Sequence, residues 1–258
     1  MRRESVILCE GFHDRAFWDG LLRHLGCVVP QDPNKPVSQK IILDPWGSRV
    51  TGGRFGYHSK SREFVRLIPC GGETFLADAM RTRLAERTTK TLRRLVVTYD
   101  ADTDPRTDPS AAQGIASRQS AVLNLLKQLD PGVTTNTDGD FLLDGGNTVV
   151  SVAVWWAPDT HGPGLPAKHT LERMVCSALA AAFPGRAQAV EQWLQSRPAG
   201  PRNGDPKEYA WSNMAGWYAS QGCEAFYSGL WNEPQVATEL QSRLTAIGAW
   251  RIAQELSV

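Results

Sequence analysis

The sequence predicts an α/β protein: a mostly parallel four-stranded sheet flanked by helices, followed by a helical C-terminal extension. Three observations predict it. Up to Trp156, short apolar runs alternate with amphipathic helical stretches, the signature of βαβ units. The runs SVILC (5–9) and LVVTY (95–99) are apolar without alternation, as strands buried on both faces are. After residue 168 only helical periodicity remains, interrupted by Pro and Gly.

Taken in order, Ser5–Cys9 is the first strand, and it ends at Glu10-Gly11. A helix over Asp14–Leu25 follows, with Phe17, Leu21 and Leu25 on one face. Asp14 lies in its first turn, where a carboxylate suits the helix dipole, and Gly26 stops it. Ile41–Leu43 has strand character. Trp46–Lys60 is rich in Gly and basic residues and reads as an exposed loop. Phe64–Pro69 is the next strand, and Cys70-Gly71-Gly72 turns the chain into a helix over Glu73–Glu86. Leu92–Tyr99 is the third strand, followed by a two-proline loop and a helix over Ala111–Leu129. Phe141–Leu143 and Thr148–Trp156, separated by Asp144–Asn147, form a hairpin. A helix over Lys168–Ala182 is broken by Pro184-Gly185. Helices over Ala187–Gln195, Pro206–Gln221 and Pro234–Leu256 complete the chain. The reading divides it into a catalytic domain, 1–183, and the helical extension, 184–258.

With 258 residues, 41% hydrophobic and 21% charged, the composition is that of a soluble globular protein. Nothing approaches a transmembrane span, and the apolar stretch after Arg2-Arg3 is too short for a signal peptide; a cytoplasmic location is expected. The net charge of +1 selects no partner. Basic clusters at 49–66 and 81–94 can hold phosphate, although solvated helix and loop faces account better for any single such run. Five widely spread cysteines without a CxxC pair argue against a zinc site or a disulfide framework. No GxxxxGK[ST] motif is present, so there is no P-loop ATPase. Of nine tryptophans, five lie at 193–250, where packing between helices is the expected use.

The chemistry concentrates at strand ends. Asp100, Asp102 and Asp104 leave the third strand at alternate positions. Open α/β sheets bind ligands at the carboxyl ends of their strands, and clustered acids repel unless a cation joins them. A polar turn at Asp104-Pro105 is the plain alternative. Glu10 and Asp14 follow the first strand, and Glu172 lies near the start of the helix after the last. Parallel strands bring their carboxyl ends to one edge. Two metal ions about 4 Å apart, held by four or five carboxylates, clamp a phosphodiester for in-line attack.

Two stretches carry a resemblance to a known family. VILCEGFHD resembles the first motif of the Toprim domain, a hydrophobic strand followed by Glu-Gly-x-x-Asp. VVTYDADTD resembles its second, a strand followed by Asp-x-Asp-x-acid. The resemblance covers residues 4–183 and is nearest to the OLD-like and small single-domain Toprim nucleases. It implies a Toprim (Rossmann-like) fold and Mg²⁺- or Mn²⁺-dependent cleavage of DNA or RNA, with one or two ions. It further implies metal ligation by Glu10, Asp14, Asp100, Asp102 and Glu172, with Glu10 also serving as general acid or base. Asp104 is then a supporting residue behind the metal ligands, and Lys207 stabilises the developing phosphorane charge. An ATPase partner and a role in antiphage defence are implied by the same resemblance. The insertion at 49–62 is not part of the family pattern. Topoisomerase and primase activities need domains that this chain lacks.

Other classes of protein fit the same residues less completely. Nucleotidyl or nucleotide-sugar transferases hold a metal–diphosphate on Asp-x-Asp, but this leaves Glu10-Gly11-x-x-Asp14 without a role. Haloacid-dehalogenase phosphatases place their Asp-x-Asp near the N-terminus with Thr or Val following, unlike Asp104. A Toprim module that binds nucleic acid or a partner ATPase without cutting is the non-enzymatic alternative.

Overall fold

The computed structural model describes residues 3–29, 42–50, 55–88, 91–159, 162–196, 208–210, 212 and 222–258. Its ordered elements are β1 (Glu4–Cys9), α1 (Phe12–His24), β2 (Phe55–His58), β3 (Phe64–Pro69), α2 (Glu73–Ala85) and β4 (Leu92–Asp100). They continue with α3 (Ala112–Leu129), β5 (Thr134–Thr135), β6 (Phe141–Leu143), β7 (Thr148–Trp155), α4 (Leu171–Ala182) and α5 (Pro184–Ser196). The last helices are α6 (Gly222–Gly229), α7 (Pro234–Ala246) and α8 (Ala249–Ser257). The chain forms two compact units. Unit 1 comprises 1–98, 121–153 and 251–258, and unit 2 comprises 99–120 and 154–250.

Unit 1 is built on the sheet, whose strand order is β2-β3-β1-β4-β7-β6-β5. β1 is parallel to both neighbours, with Ile7 opposite Leu67 on one side and Val96 on the other. All six of its residues are buried, which is why its sequence does not alternate. The expected four-stranded sheet is corrected to seven strands. Phe55–His58, expected in a loop, pairs antiparallel with β3 as an edge strand. Gly56 permits this: a Cβ there would lie 2.5 Å from the Phe64 ring. The hairpin is present as β6–β7, with Phe141 opposite Val150, and β5 adds a two-residue edge. β2 and β5 are too short for a periodic signal in sequence. The Ile41–Leu43 expectation lies partly outside the described residues, and Leu43 makes an isolated bridge to Arg49.

Helix α1 buries Phe17, Trp18, Leu21 and Leu22 completely, and α2 buries Leu76, Met80 and Leu84 at four-residue spacing. Two buried arginine–carboxylate clusters lie inside this unit. Arg66 of β3 donates to Glu4 (2.9 Å) and to Asp44 (2.8 Å). Arg251 of α8 forms a bidentate pair with Asp140 at 3.0 Å on both arms.

Unit 2 carries the helical remainder. α4 is buried from Leu171 to Leu179 and packs against α5 and α7. Cys176, Val190, Leu194 and Tyr209 form part of its core. Trp231 stacks on Trp250 with centroids 6.4 Å apart, the helix packing expected of the tryptophans, whereas Trp193 is exposed. The single helix expected over Pro234–Leu256 is two, broken at Gly248 with φ +74°. The helix expected over Pro206–Gln221 lies almost wholly outside the described residues. Among the described residues no helix is long and apolar enough to cross a membrane.

Candidate functional site: the acidic turn after β4

Where β4 ends, three backbone contacts fix the turn Asp100-Ala101-Asp102 within unit 2. Ala101 N–H donates to the Trp155 carbonyl at 3.2 Å. Asp102 N–H donates to the His169 carbonyl, and His169 N–H to the Thr103 carbonyl, both at 2.9 Å. The turn is thereby laced to the segment that opens α4. Asp102 sits at φ +58°, a left-handed conformation that costs most residues about 1 kcal/mol and that Asp tolerates better than most.

Asp100 Oδ1 accepts from Leu171 N–H at 2.8 Å, at the first position of α4, whose early N–H groups have no partner inside the helix. Thr170, the N-cap, accepts from Arg173 N–H. Glu172 is the neighbour of Leu171 and is 7% exposed. The fold therefore brings Asp100 to the N-terminal turn that carries Glu172, although some seventy residues separate them in sequence.

The other two aspartates have arginine partners. Arg118 of α3 donates Nε to the Asp100 carbonyl (3.1 Å) and a terminal nitrogen to Asp102 Oδ2 (3.0 Å). Its guanidinium lies 5.4 Å from the centre of the Tyr99 ring. Asp104 is clamped by Arg106, which holds its carboxyl down at about 2. Gly114, one turn before Arg118, allows α3 to come this close: a Cβ there would lie 2.6 Å from the Ala101 carbonyl oxygen. His169 is fully buried. Its Nδ1 accepts from Ala157 N–H (3.4 Å), so Nε2 carries the proton toward the Asp108 carbonyl (3.1 Å). Burial lowers its pKa below the usual histidine value, and the ring is neutral.

Glu10 and Asp14 belong to unit 1. Asp14 Oδ2 accepts from Gly11 N–H at 3.2 Å, a bond that caps α1. The Glu10 carbonyl accepts from both Gly71 (3.0 Å) and Gly72 (2.8 Å), tying the loop after β1 to the loop after β3. Gly71 and Gly72 have φ of +84° and +127°, so this double acceptance depends on glycine. Lys207 lies outside the described residues.

Sequence reasoning missed Arg118, Gly114 and His169. The signal for the first two was present: a glycine inside an otherwise good helix, four residues before an arginine on the same face. The carboxylates are the hard oxygen donors that suit Mg²⁺ or Mn²⁺. Among the described residues, however, no three His, Cys, Asp or Glu side chains are grouped so as to hold a metal ion. The arrangement described here gives Asp102 an arginine as its cation.

No family model matches the chain, and no curated protein matches it significantly. A hypothetical protein from Pyrococcus horikoshii, known from its crystal structure, is similar in fold, with a TM-score of 0.71, 16% identity and 100% of both chains covered. At this identity the likeness concerns the fold, an α/β arrangement of one sheet with flanking helices.

Proposed function

We propose that the protein is a divalent-metal-dependent nuclease of Toprim type that hydrolyses phosphodiester bonds of DNA or RNA. One observation carries the reading. In the acidic turn after β4, Asp102 is held in a left-handed conformation and Asp100 is bonded to the first turn of α4, so that Asp100, Asp102 and Glu172 are supplied by elements the fold has joined. Strained residues held in place by their surroundings cluster at functional sites. Asp100, Asp102 and Glu172 are the residues that would supply the ion's oxygen ligands, but they are not grouped to hold it here, so binding would require their carboxylates to turn toward one another. Glu10 and Asp14 are named as ligands by the motif resemblance alone. A bound ion supplies charge stabilisation for a transferring phosphoryl group. For Asp102 to join it, the carboxylate must exchange Arg118 for the metal.

The Arg118–Asp102 pair supports a second reading, a module that binds nucleic acid or a partner ATPase without cutting, because there the acids need no metal. The test is incubation of the pure protein with plasmid, single-stranded DNA and structured RNA in Mg²⁺ or Mn²⁺. Asp100→Asn is the informative variant, since it keeps an acceptor for Leu171 while removing the charge. Cleavage should fall about a hundredfold or more, with the melting temperature held. If Asp100→Asn cuts as well as the parent, the nuclease reading is wrong. If no nucleic acid is cut until an ATPase partner is added, the chain is an effector subunit.

A further inference from the structure

The chain has eight phenylalanines, and six are buried or half-buried. The two exposed ones, Phe12 (58%) and Phe75 (59%), occupy matching places in unit 1. Phe12 opens α1 directly after the loop that follows β1, and Phe75 lies in the first turn of α2 after the loop that follows β3. β1 and β3 are parallel neighbours. Their two loops are joined by the hydrogen bonds from Gly71 and Gly72 to Glu10, and Phe75 N–H is bonded to the Gly72 carbonyl at 3.1 Å. Both rings are thus mounted on one tied pair of loops that includes Glu10.

Phe12 is exposed but not loose. The buried guanidinium of Arg15 lies 4.9 Å from its ring centre and 4.4 Å from that of Phe55. The arginine lies over the Phe12 ring, and the residue nevertheless keeps more than half of its surface open to solvent. A flat aromatic surface, backed by a cation and open to solvent, suits another flat π system. Unpaired nucleobases have that shape, and exposed aromatics beside cationic groups are how proteins hold single strands without reading sequence. Bases stacked within a duplex present no free face.

We infer that Phe12 and Phe75 form a stacking platform for unpaired bases, so that the substrate class is single-stranded nucleic acid or a single-stranded region of a larger one. The inference rests on the nuclease reading for its setting, and its test is separable from that reading. Binding of fluorescein-labelled (dT)20 and of a hairpin duplex is measured by anisotropy in EDTA, where no metal-dependent cleavage occurs. The parent chain should bind the single strand more tightly than the duplex. Phe12→Ala and Phe75→Ala should each weaken single-strand binding at least about fivefold, whereas Phe12→Trp should retain it. Circular-dichroism melts establish that the variants are folded, and a 2-aminopurine oligonucleotide reports stacking directly through its fluorescence. Phenylalanine-to-alanine variants that bind (dT)20 as the parent does, or a parent that does not bind it, overturn the platform. If Asp100→Asn abolishes cleavage while Phe12→Ala binds and cuts normally, the nuclease reading stands and the platform falls. If nothing is cut but single-strand binding depends on both rings, the platform stands and the nuclease reading falls.

Discussion

At Gly114 one methyl group decides how closely α3 approaches the acidic turn. Gly→Ala inside a helix ordinarily stabilises by up to about 1 kcal/mol. Here the new Cβ would meet the Ala101 carbonyl oxygen at 2.6 Å and the Ala101 Cβ at 2.9 Å, and overpacking of this kind costs about 1–3 kcal/mol. Gly114→Ala should therefore lower the melting temperature and, under the nuclease reading, impair cleavage as Ala101 is displaced between its two aspartates. Gly185→Ala in α5, where a Cβ meets nothing within 4 Å, is the matched control and should be neutral or stabilising. Thermal melts of both variants decide it, and equal behaviour would refute the close-approach argument. Asp102 poses a related choice. Because Asn shares the tolerance of Asp for left-handed backbone, a loss of function in Asp102→Asn reports the missing charge rather than a rearranged turn.

The joint between β4 and α4 is the element on which the turn depends, and His169 is its pin. The buried ring is neutral, with its folded pKa below the usual 6.5. A group depressed in this way stabilises the fold fully above its unfolded pKa. The contribution is lost as pH falls from about 6.5 toward the folded value, where the unfolded chain takes up the proton first. The melting temperature should thus fall between pH 7 and pH 5, and the slope should be shallower in His169→Gln; identical slopes would remove His169 from the account. This joint also marks how far the sequence could be read. β1, β3, β4, β7 and α1–α4 were legible because each is long or apolar enough to impose its own period. The acids Asp100 and Asp102 were legible from their place at a strand end. What they bond to was not: Leu171 and His169 lie about seventy residues away, and Arg118 faces the turn only once α3 has packed. β2 was hidden in a Gly-rich, basic stretch because a four-residue edge strand is specified by its partner β3 more than by its own pattern.

At the scale of the whole molecule, the Asp140 cluster carries the clearest stability prediction. Burial alone would raise the Asp140 carboxyl, but hydrogen bonds from Arg251 and Ser151 and the charge of Arg94 outweigh it and hold the group below its usual value. Its side chain is 3% exposed. Asp140→Asn should cost about 3 kcal/mol at neutral pH, the scale of breaking a buried pair. A depressed carboxylate stabilises above its unfolded pKa, and the contribution disappears as pH falls through the folded value. Parent and variant should therefore converge in urea unfolding once the pH drops well below 3.8; a constant gap would refute the ion pair as the cause. The same cluster bears on how the protein is made. Arg251 reaches Asp140, Ser257 accepts from Lys60 N–H, and Val258 accepts from the Ser61 hydroxyl, all within a unit whose other segments end at residue 153. During synthesis the first hundred residues emerge with strands ready to pair but without these contacts. The nascent unit must wait, incomplete, while residues 154–250 are translated, because its closing segment follows them in the chain.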